Sequence, residues 1–280
     1  MNVLGEAFRR SVERSRQKAS SAETVRSRPV RPAGAEDTMK LACPPAQAAS
    51  GAGGQAEGGA SGDPFEFLRR ARRVATFAEG PLAPGCDILA GLRSAVFSAG
   101  LATPPATILV TGPSRSSGKT AVAAGLAGEL ARDLLYRVLL VDADIRRPGV
   151  AALLQVDTEL DLADVLEGRS EAAEAVVYSE GDNLSVLALR AGSRLSAETL
   201  ASAASRELFS MLRQAFDYVV IDAGDTASSA VPRVLASGAT GTVLVLPAGV
   251  TRERARESAA AIRSAGGKVV GVVLTGAPRR

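Results

Sequence analysis

Six apolar runs of strand length recur from residue 106 onward. They are ATILVT (106–111), RVLLVD (137–142), NLSVLAL (183–189), YVVID (218–222), GTVLVLP (241–247) and KVVGVVL (268–274). Most apolar residues in a run follow one another directly, without the alternation of a strand that faces water on one side. The runs therefore predict strands that are covered on both faces.

Segments with helical periodicity separate these runs. They lie at about 119–133, 159–167, 204–215 and 251–265, and a further short helix is predicted around 87–98. Strands that alternate with helices form parallel sheets joined by right-handed crossovers. The pattern predicts an α/β domain in which a mostly parallel sheet carries helices on both faces.

The first 20 residues have a pattern of their own. Leu4, Phe8 and Val12 recur at helical spacing, with arginines on the other faces, so residues 1–20 are predicted to form a basic amphipathic helix. Such a helix can contact an anionic membrane or a partner. The alternative, a frayed basic helix without a partner, stays open.

A stretch without bulky side chains follows. Residues 44–63, PPAQAASGAGGQAEGGASGD, bury too little area to offset the entropy that is lost on ordering. We expect a disordered linker over 21–63, a connecting segment over 64–83 and a folded domain over 84–278.

The charge of the chain is concentrated near its start. The chain has 33 Lys and Arg against 30 Asp and Glu, and its first 40 residues contain nine and five of these. The remainder is therefore close to neutral, which argues against a nucleic-acid-binding face on the folded domain. We expect no nucleic-acid partner.

Two cysteines and the absence of histidine limit the metal and disulfide chemistry. Cys43 and Cys86 lie in unrelated contexts, so neither a disulfide framework nor a Cys/His zinc site is expected. The longest uncharged run, 94–114, contains Gly100 and three prolines and fits a short strand better than a membrane span. We expect a cytoplasmic protein without a transmembrane helix or a secretory signal.

The stretch ILVTGPSRSSGKTAVAAGLA combines a strand, a loop and the start of an Ala-rich helix. In a phosphate-binding loop, backbone N–H groups and the helix N-terminus bind phosphates, a lysine reaches the outer phosphates and a hydroxyl binds magnesium. Gly118, Lys119 and Thr120 have the residue types for those roles. The strict motif has a glycine where this chain has Pro113, and Gly112 lies one position too early. The placement between strand and helix nevertheless predicts a nucleotide site.

Serines and one arginine fill this loop in place of glycines. The residues predicted to contact the nucleotide are Arg115, Ser116, Ser117, Gly118, Lys119, Thr120 and Ala121.

Two aspartates, one residue apart, follow the second predicted strand. A parallel strand that ends at the same sheet edge would place Asp142 beside the phosphates, and the two-residue period of a strand would direct Asp144 to the same side. Carboxylates there can bind magnesium or accept a proton from an attacking hydroxyl. The alternative is that these aspartates cap the turn before the next helix, which explains one of them better than the pair.

A third carboxylate, Asp222, ends the apolar run FDYVVID. This is the position from which a Walker B aspartate supports magnesium through water. The feature is common by itself, but here it follows the phosphate loop and the aspartate pair in that order. The candidate magnesium set is therefore Thr120, Asp142, Asp144 and Asp222.

Four segments together resemble a known family: GKT, VLLVDADIRRP, FDYVVID and VLVLPAGVTRERARESAAAIRSAGGKVVGVVLTG. They resemble the cytoplasmic catalytic domain of bacterial tyrosine kinases of capsule and exopolysaccharide synthesis, over roughly residues 84–278. The resemblance implies a P-loop NTPase fold of the ParA and MinD class. It also implies transfer of the ATP γ-phosphoryl to tyrosines, typically on a neighbouring subunit.

By position, the resemblance gives roles to five residues. Lys119 contacts phosphate and is catalytic, and Thr120 binds magnesium. Asp142 is the candidate base for a tyrosine hydroxyl, Asp144 assists catalysis at the metal, and Asp222 is the Walker B aspartate. The implied ligands are ATP and Mg²⁺, and the implied partner is a membrane polysaccharide co-polymerase that would hold the protein at the inner face of the plasma membrane.

The chain departs from the family pattern at both phosphate-site motifs. Arg115 and Ser116 replace a Pro-Gly pair in the loop. Ala223, Gly224 and Asp225 follow the Walker B aspartate, where the family has a small residue and two prolines. The change in the loop predicts a phosphate cradle that is either tighter or less competent than that of the family.

The helix DILAGLR corresponds to the family's subunit-contact sequence Glu-x-x-Arg-x-x-Arg. It keeps Arg93, but has Asp87 for the acid and Ala90 for the first arginine. Self-association through this helix is therefore an open hypothesis.

The resemblance implies a tyrosine-rich C-terminal tail, which we expect this protein to lack; the three tyrosines of the sequence are Tyr136, Tyr178 and Tyr218. Tyr136 and Tyr218 precede predicted core strands and are expected to be structural, so Tyr178 is the one candidate acceptor.

Three functions are open at this stage. The first is a tyrosine kinase that acts on a partner's tyrosines, favoured by the five retained residues. The second is a nucleotide-binding regulatory subunit of a polysaccharide co-polymerase that phosphorylates nothing, favoured by the loop changes. The third, a ParA-like ATPase, would have a lysine at the position of Ser114, which argues against it.

Overall fold

The computed structural model describes residues 71–74 and 87–276. The predicted helix over 1–20, the predicted linker over 21–63 and most of the segment 64–83 lie outside the described residues. The strands are β1 (Arg72–Val74), β2 (Ala106–Gly112), β3 (Val138–Asp142), β4 (Val177–Ser179), β5 (Leu184–Leu187), β6 (Tyr218–Asp225), β7 (Gly241–Pro247) and β8 (Val269–Thr275).

The helices of the described residues are α1 (Asp87–Val96), α2 (Lys119–Ala131), α3 (Val150–Leu154), α4 (Leu162–Leu166), α5 (Ala172–Ala175), α6 (Ala197–Ala201), α7 (Ala203–Ala215), α8 (Val231–Ala236) and α9 (Arg252–Ser264); a π-helical turn, Phe97–Leu101, continues α1. Within this part of the chain, no helix has both the length and the apolar character needed to cross a bilayer.

The strands form one sheet in the order β1-β4-β5-β3-β6-β2-β7-β8. Every neighbouring pair is parallel except β4 and β5. The predicted α/β fold with a mostly parallel sheet is therefore confirmed, and each of the six predicted strands is present.

The continuous apolar runs have a simple cause in the packing of the sheet. On β2, Ile108 and Val110 pack into one core layer with Leu126 of α2, whereas Leu109 lies between them and packs into the opposite layer with Leu212 of α7. Because helices cover both faces, successive residues must all be apolar. The six longer strands therefore contain few polar residues except at their ends.

The sequence did not reveal the two shortest strands or four of the short helices. Strand β1 lies within the predicted connecting segment, and β4 has three residues and runs antiparallel to β5. Elements of three to six residues complete too little of a structural period to be recognised by pattern.

Strands β2, β3 and β6 are neighbours in the middle of the sheet and end at the same edge. Asp142 of β3 lies directly opposite Asp222 of β6, and Asp222 also lies opposite Val110 of β2. The loop that follows β2 therefore starts beside both aspartates.

Candidate active site

The loop between β2 and α2 winds back to begin α2 through two residues with positive φ. Ser116 has φ 55° and Gly118, the N-cap of α2, has φ 79°. Glycine adopts this conformation readily, whereas for serine it is uncommon and costs energy. The loop thus reaches the N-terminus of α2, where unpaired N–H groups and the helix dipole attract anions, with fewer glycines than the strict motif.

Gly112, one position too early for that motif, has a packing role at the start of the loop. A Cβ at this position would collide with the carbonyl oxygen of Val245 on β7. The carbonyl of Gly112 accepts a hydrogen bond from the Thr226 N–H at 2.9 Å. Glycine is therefore required where β2 passes closest to its neighbours.

Lys119 is almost completely buried, with 6% of its surface exposed. Its ammonium Nζ donates to the Ser114 carbonyl oxygen at 2.8 Å and to Ser117 Oγ at 3.3 Å. The lysine is thus held over its own loop by two weak neutral acceptors, which an anionic ligand can replace with stronger charge-assisted bonds.

Asp142 is fully buried and is bonded to the chain that follows it. Its Oδ2 accepts from the N–H groups of Gly149 and Val150 at 2.8 and 2.9 Å, and its Oδ1 accepts from the Asp144 N–H at 3.1 Å. Burial, and after it the charge of Asp222, raises the pKa of Asp142 to about 8 against these three bonds. Asp142 therefore shapes the turn before α3, as the capping alternative predicts.

Asp144 also bonds to its own turn but remains half-exposed. Its Oδ1 accepts from the N–H groups of Arg146 and Arg147, both at 3.1 Å. Its carboxylate passes so close to Gly224 that a Cβ there would lie 2.8 Å from it, and Gly224 has φ 70°. Gly224, at a position where the family has proline, thus makes room for Asp144.

Asp222 is the buried carboxylate with unused hydrogen-bonding capacity. It is 0% exposed, and neither of its oxygens forms a hydrogen bond of good geometry with any described residue. Burial, followed by the charge of Asp144, raises the pKa of Asp222. The Thr120 hydroxyl, the Lys119 ammonium and the Gly224 backbone N–H are near enough to lower this pKa in part. A buried carboxylate whose oxygens lack hydrogen bonds of good geometry is costly to maintain, so this arrangement is suited to binding a cation.

These elements surround an open cleft of about 540 Å³. Its lining includes the predicted residues Arg115, Ser116, Gly118, Lys119, Thr120, Ala121 and Asp144. Ser117, Asp142 and Asp222 are brought to the same place but lie buried beneath the lining. The structure therefore gathers every predicted site residue around one cleft.

Sequence reasoning missed part of this lining: Arg146, Arg147, Gly149, Ala152, Leu153 and Asp225. The two arginines directly follow the aspartate pair, and their position in the chain was the available signal. Asp225 accepts from the N–H and hydroxyl of Ser228 at 2.7 and 2.8 Å. Its place in the cleft follows from β6 extending three residues beyond Asp222, which no sequence pattern indicated.

The donor set fits a magnesium ion in part. No cluster of three or more Asp, Glu, His or Cys side chains in 71–74 and 87–276 is assembled as a complete metal site. Magnesium, however, commonly uses one or two protein oxygens together with phosphates and waters. The carboxylate of Asp222, whose oxygens form no hydrogen bond of good geometry, and the nearby hydroxyl of Thr120 meet that requirement. Asp142, in contrast, already accepts three bonds.

All three tyrosines lie in packed or hydrogen-bonded surroundings. Tyr218 is fully buried and donates to the Ala102 carbonyl oxygen at 3.0 Å, and Tyr136 packs against it edge-on with ring centroids 5.0 Å apart. The half-buried Tyr178 donates to Asn183 Oδ1 at 3.2 Å.

The predicted subunit-contact residue Arg93 makes contacts within its own chain. It pairs with Asp133 at 3.6 Å and lies 5.2 Å above the ring of Phe97. Self-association through α1 stays a prediction.

Comparison with curated proteins shows the family. No protein-family model matches the chain. The tyrosine-protein kinase YwqD of Bacillus subtilis is 30% identical over 171 residues, which cover 61% of this chain and 72% of YwqD. The chain belongs to the bacterial tyrosine-kinase family. The succinoglycan biosynthesis transport protein ExoP of Rhizobium meliloti is 32% identical over 204 residues, but these cover only 24% of ExoP.

Solved structures of the tyrosine-kinase family share the fold. The kinase domain of Escherichia coli tyrosine kinase ETK aligns with a TM-score of 0.63 and 24% identity over 69% of this chain and 78% of that one. The BceF tyrosine kinase domain aligns with a TM-score of 0.57 and 27% identity over 68% and 75%. The cell-division ATPase MinD of Pyrococcus furiosus aligns with a TM-score of 0.51 and 24% identity over 60% and 71%. The predicted P-loop class is therefore confirmed.

Proposed function

We propose that this protein is an ATP-dependent protein tyrosine kinase of exopolysaccharide or capsule synthesis, which transfers the γ-phosphoryl of ATP to tyrosines of another protein molecule. The observation that carries the proposal is the buried carboxylate of Asp222, which lies close to Thr120 and Lys119 and whose oxygens form no hydrogen bond of good geometry. This group supports a metal–nucleotide site, which a kinase and a nucleotide-binding regulatory subunit would share. Transfer is favoured by the carboxylate of Asp144 in the same cleft and by the similarity to tyrosine-protein kinases.

The phosphates of ATP would bind to the loop and to the start of α2. The residues offered are Arg115, Ser116, Ser117, Gly118, Lys119, Thr120 and Ala121, of which all but Ser117 line the cleft. Lys119 would exchange its bonds to Ser114 and Ser117 for bonds to the outer phosphates. Arg115 adds a charge that compensates for the missing Pro-Gly pair of the family loop.

Thr120 and Asp222 would hold magnesium, with Asp144 at the side that faces the cleft. Magnesium supplies charge neutralisation on the phosphates as the γ-phosphoryl is transferred. Asp142, whose oxygens accept three backbone bonds, would act on the metal site by fixing the chain that carries Asp144.

Transfer requires a group that accepts the proton of the attacking tyrosine. The phenol oxygen forms a bond to the γ-phosphorus, the bond from the γ-phosphorus to the bridging oxygen breaks, ADP leaves, and the phenol proton passes to a carboxylate. Asp142 has the raised pKa that suits a base near neutral pH, but Asp144 is the one of the pair that lines the cleft. We propose Asp144 as the group that meets the hydroxyl.

The acceptor tyrosine would belong to a different molecule. Tyr136 and Tyr218 pack against each other and Tyr178 is bonded to Asn183, and none of the three lines the cleft. The partner we propose is a membrane polysaccharide co-polymerase, since the relative ExoP is named as a transport protein of succinoglycan synthesis. The protein would then act at the inner face of the plasma membrane, with the predicted N-terminal helix as a further contact.

The direct test is phosphotyrosine formation from labelled ATP and magnesium, with and without a tyrosine-rich peptide. The expected product is labelled peptide, which Lys119→Met abolishes. Lys268→Met is the matched control, because Lys268 is the other lysine of the described residues and is exposed before β8; its activity should equal that of the wild type. Nucleotide binding without transfer would support the regulatory subunit, and phosphate release without transfer would support the ATPase.

Two single substitutions, Asp144→Asn and Asp142→Asn, distinguish the roles of the two aspartates. Asp144→Asn should lower the transfer rate about 100-fold or more at unchanged stability, the usual contribution of a positioned base. Asp142→Asn should lower transfer together with the free energy of unfolding, because it weakens the turn before α3. Full transfer by Asp144→Asn, with loss confined to Asp142→Asn at unchanged stability, would return the base to Asp142.

A further inference from the structure

The last residue of β8 contacts the phosphate loop from 158 positions away in the chain. Thr275 Oγ1 donates a hydrogen bond to the carbonyl oxygen of Ser117 at 2.7 Å. The same oxygen lies 3.5 Å from the Leu246 carbonyl, and since a hydroxyl has one proton, the shorter bond to Ser117 dominates. The backbone oxygen of Thr275 accepts from the Ala248 N–H at 2.7 Å, which fixes the threonine at the end of the sheet.

This bond orients the peptide group between Ser117 and Gly118. A trans peptide is planar and its C=O and N–H point in opposite directions. Because the carbonyl of Ser117 is held toward β8, the N–H of Gly118 points away from β8. Gly118 lines the cleft, so this N–H is offered to a ligand there.

The loop needs such a tie because of its composition. Ser116, with φ 55°, occupies a conformation that serine adopts at a cost, and such strain persists only where the surroundings enforce it. The start of the loop is held by the bond from Thr226 to Gly112. At the end of the loop, the Thr275 hydroxyl holds the Ser117 carbonyl. The methyl group of Thr275 lies 3.6 Å from the position that a Cβ would take at Gly118.

We propose that Thr275 is a positioning residue for phosphate binding, which holds the Ser117–Gly118 peptide so that its N–H faces the nucleotide. The inference rests on the proposed function, since it requires that the cleft binds nucleotide phosphates. It assigns a role at the site to the end of β8, a strand whose sequence carries no phosphate-binding motif.

The test compares Thr275→Val, which keeps the shape and removes the donor, with Thr275→Ser, which keeps the donor. Thr242→Val is the matched control, since Thr242 is buried on the neighbouring strand β7 and its Oγ1 has no partner among the described residues. The readouts are the dissociation constants of ATP and of adenosine in magnesium buffer and the free energy of unfolding without nucleotide.

For Thr275→Val we expect ATP binding to weaken about three- to tenfold, the range of one lost hydrogen bond, with adenosine binding unchanged. Thr275→Ser should bind ATP as the wild type does, and so should Thr242→Val. If Thr275→Val lowers the free energy of unfolding and leaves ATP affinity unchanged, Thr275 is only structural and the inference is wrong. If the wild type itself binds no nucleotide, the proposed function fails first, an outcome that the wild-type titration alone reveals.

Discussion

The two ends of strand β6 treat their carboxylates in opposite ways. At the amino end, Asp217 accepts from the Arg137 N–H at 2.8 Å and from two guanidinium nitrogens at 3.1 Å each. At the carboxyl end, Asp222 is buried without a hydrogen bond of good geometry to any described residue. A fully hydrogen-bonded carboxylate thus lies directly before β6, whereas a buried carboxylate without such bonds lies in the carboxyl-terminal half of the strand, three residues before its end.

The pKa values follow the same division. Burial opposes the ionisation of Asp217, but the Arg137 side chain and backbone N–H hold the pKa of this carboxyl below its ordinary value. Burial raises the pKa of Asp222. We conclude that the amino end of the sheet is built for stability, whereas the carboxyl end keeps unused bonding capacity for a ligand.

The largest expected effect on transfer comes from removing the charge of Asp222, compared with removing the charge of Asp217. Asp222→Asn should lower magnesium-dependent transfer about 10- to 100-fold, as the loss of a metal-supporting carboxylate does, without lowering the free energy of unfolding at pH 7.5. Asp217→Asn should leave transfer unchanged. Transfer assays and urea unfolding of both variants measure the two effects. Equal loss of transfer in both variants would contradict the proposed difference between Asp217 and Asp222.

A smaller effect is expected where the backbone makes room for Asp144. Gly224→Ala places a Cβ 2.8 Å from the Asp144 carboxylate at φ 70°, so transfer should fall at least about tenfold and stability by about 1–2 kcal/mol. Gly168→Ala is the matched control: Gly168 has φ 71° and no atom within 4 Å of its Cβ position. It should lose the same stability and no activity. Equal activities of the two variants would show that Asp144 does not need its present position.

Substitution of Asp217, directly before β6, should change the free energy of unfolding and the way it depends on pH. Asp217→Asn should cost about 1 kcal/mol at pH 7, because it loses charge-assisted bonds that are partly exposed to solvent. The pKa of Asp217 is lowered in the folded protein, so this contribution is present above the ordinary value of 3.8 and is lost as the pH falls through the folded-state pKa. The free energies of unfolding of wild type and variant should therefore converge as the pH falls below 3.8 and through the lowered folded-state pKa. A difference that stays constant with pH would contradict the pairing.

The smallest effect is expected at α1. Arg93 pairs with Asp133 at 3.6 Å, and both side chains are about a quarter to a third exposed, so Arg93→Ala should change the free energy of unfolding by less than about 1 kcal/mol. Sedimentation of the two proteins also tests self-association. A shift to smaller species in the variant would assign Arg93 to a subunit contact, and equal sedimentation would leave it as a pair within the chain.

The sequence predicted which residues lie at the carboxyl end of the sheet better than it predicted the contacts that these residues make. Lys119 and Thr120 were predicted from the Gly-Lys-Thr sequence between a strand and a helix, and Asp222 was predicted because it ends an apolar run. The tie from Thr275 to Ser117 and the close approach of Gly224 to Asp144 were not found, because both join residues that are distant in the chain and carry no motif. Asp142 was expected at the ligand, yet its oxygens are used by the N–H groups of the turn before α3, an arrangement that depends on the turn geometry.

The central claim is that the unsatisfied end of β6 serves a nucleotide and its metal. A crystal structure with a non-hydrolysable ATP analogue and magnesium tests it most directly. We predict the phosphates at the N–H groups of 116–119 and at the Lys119 ammonium, with the metal supported by Thr120 and Asp222. Phosphates bound elsewhere, or a metal without contact to either residue, would contradict the account.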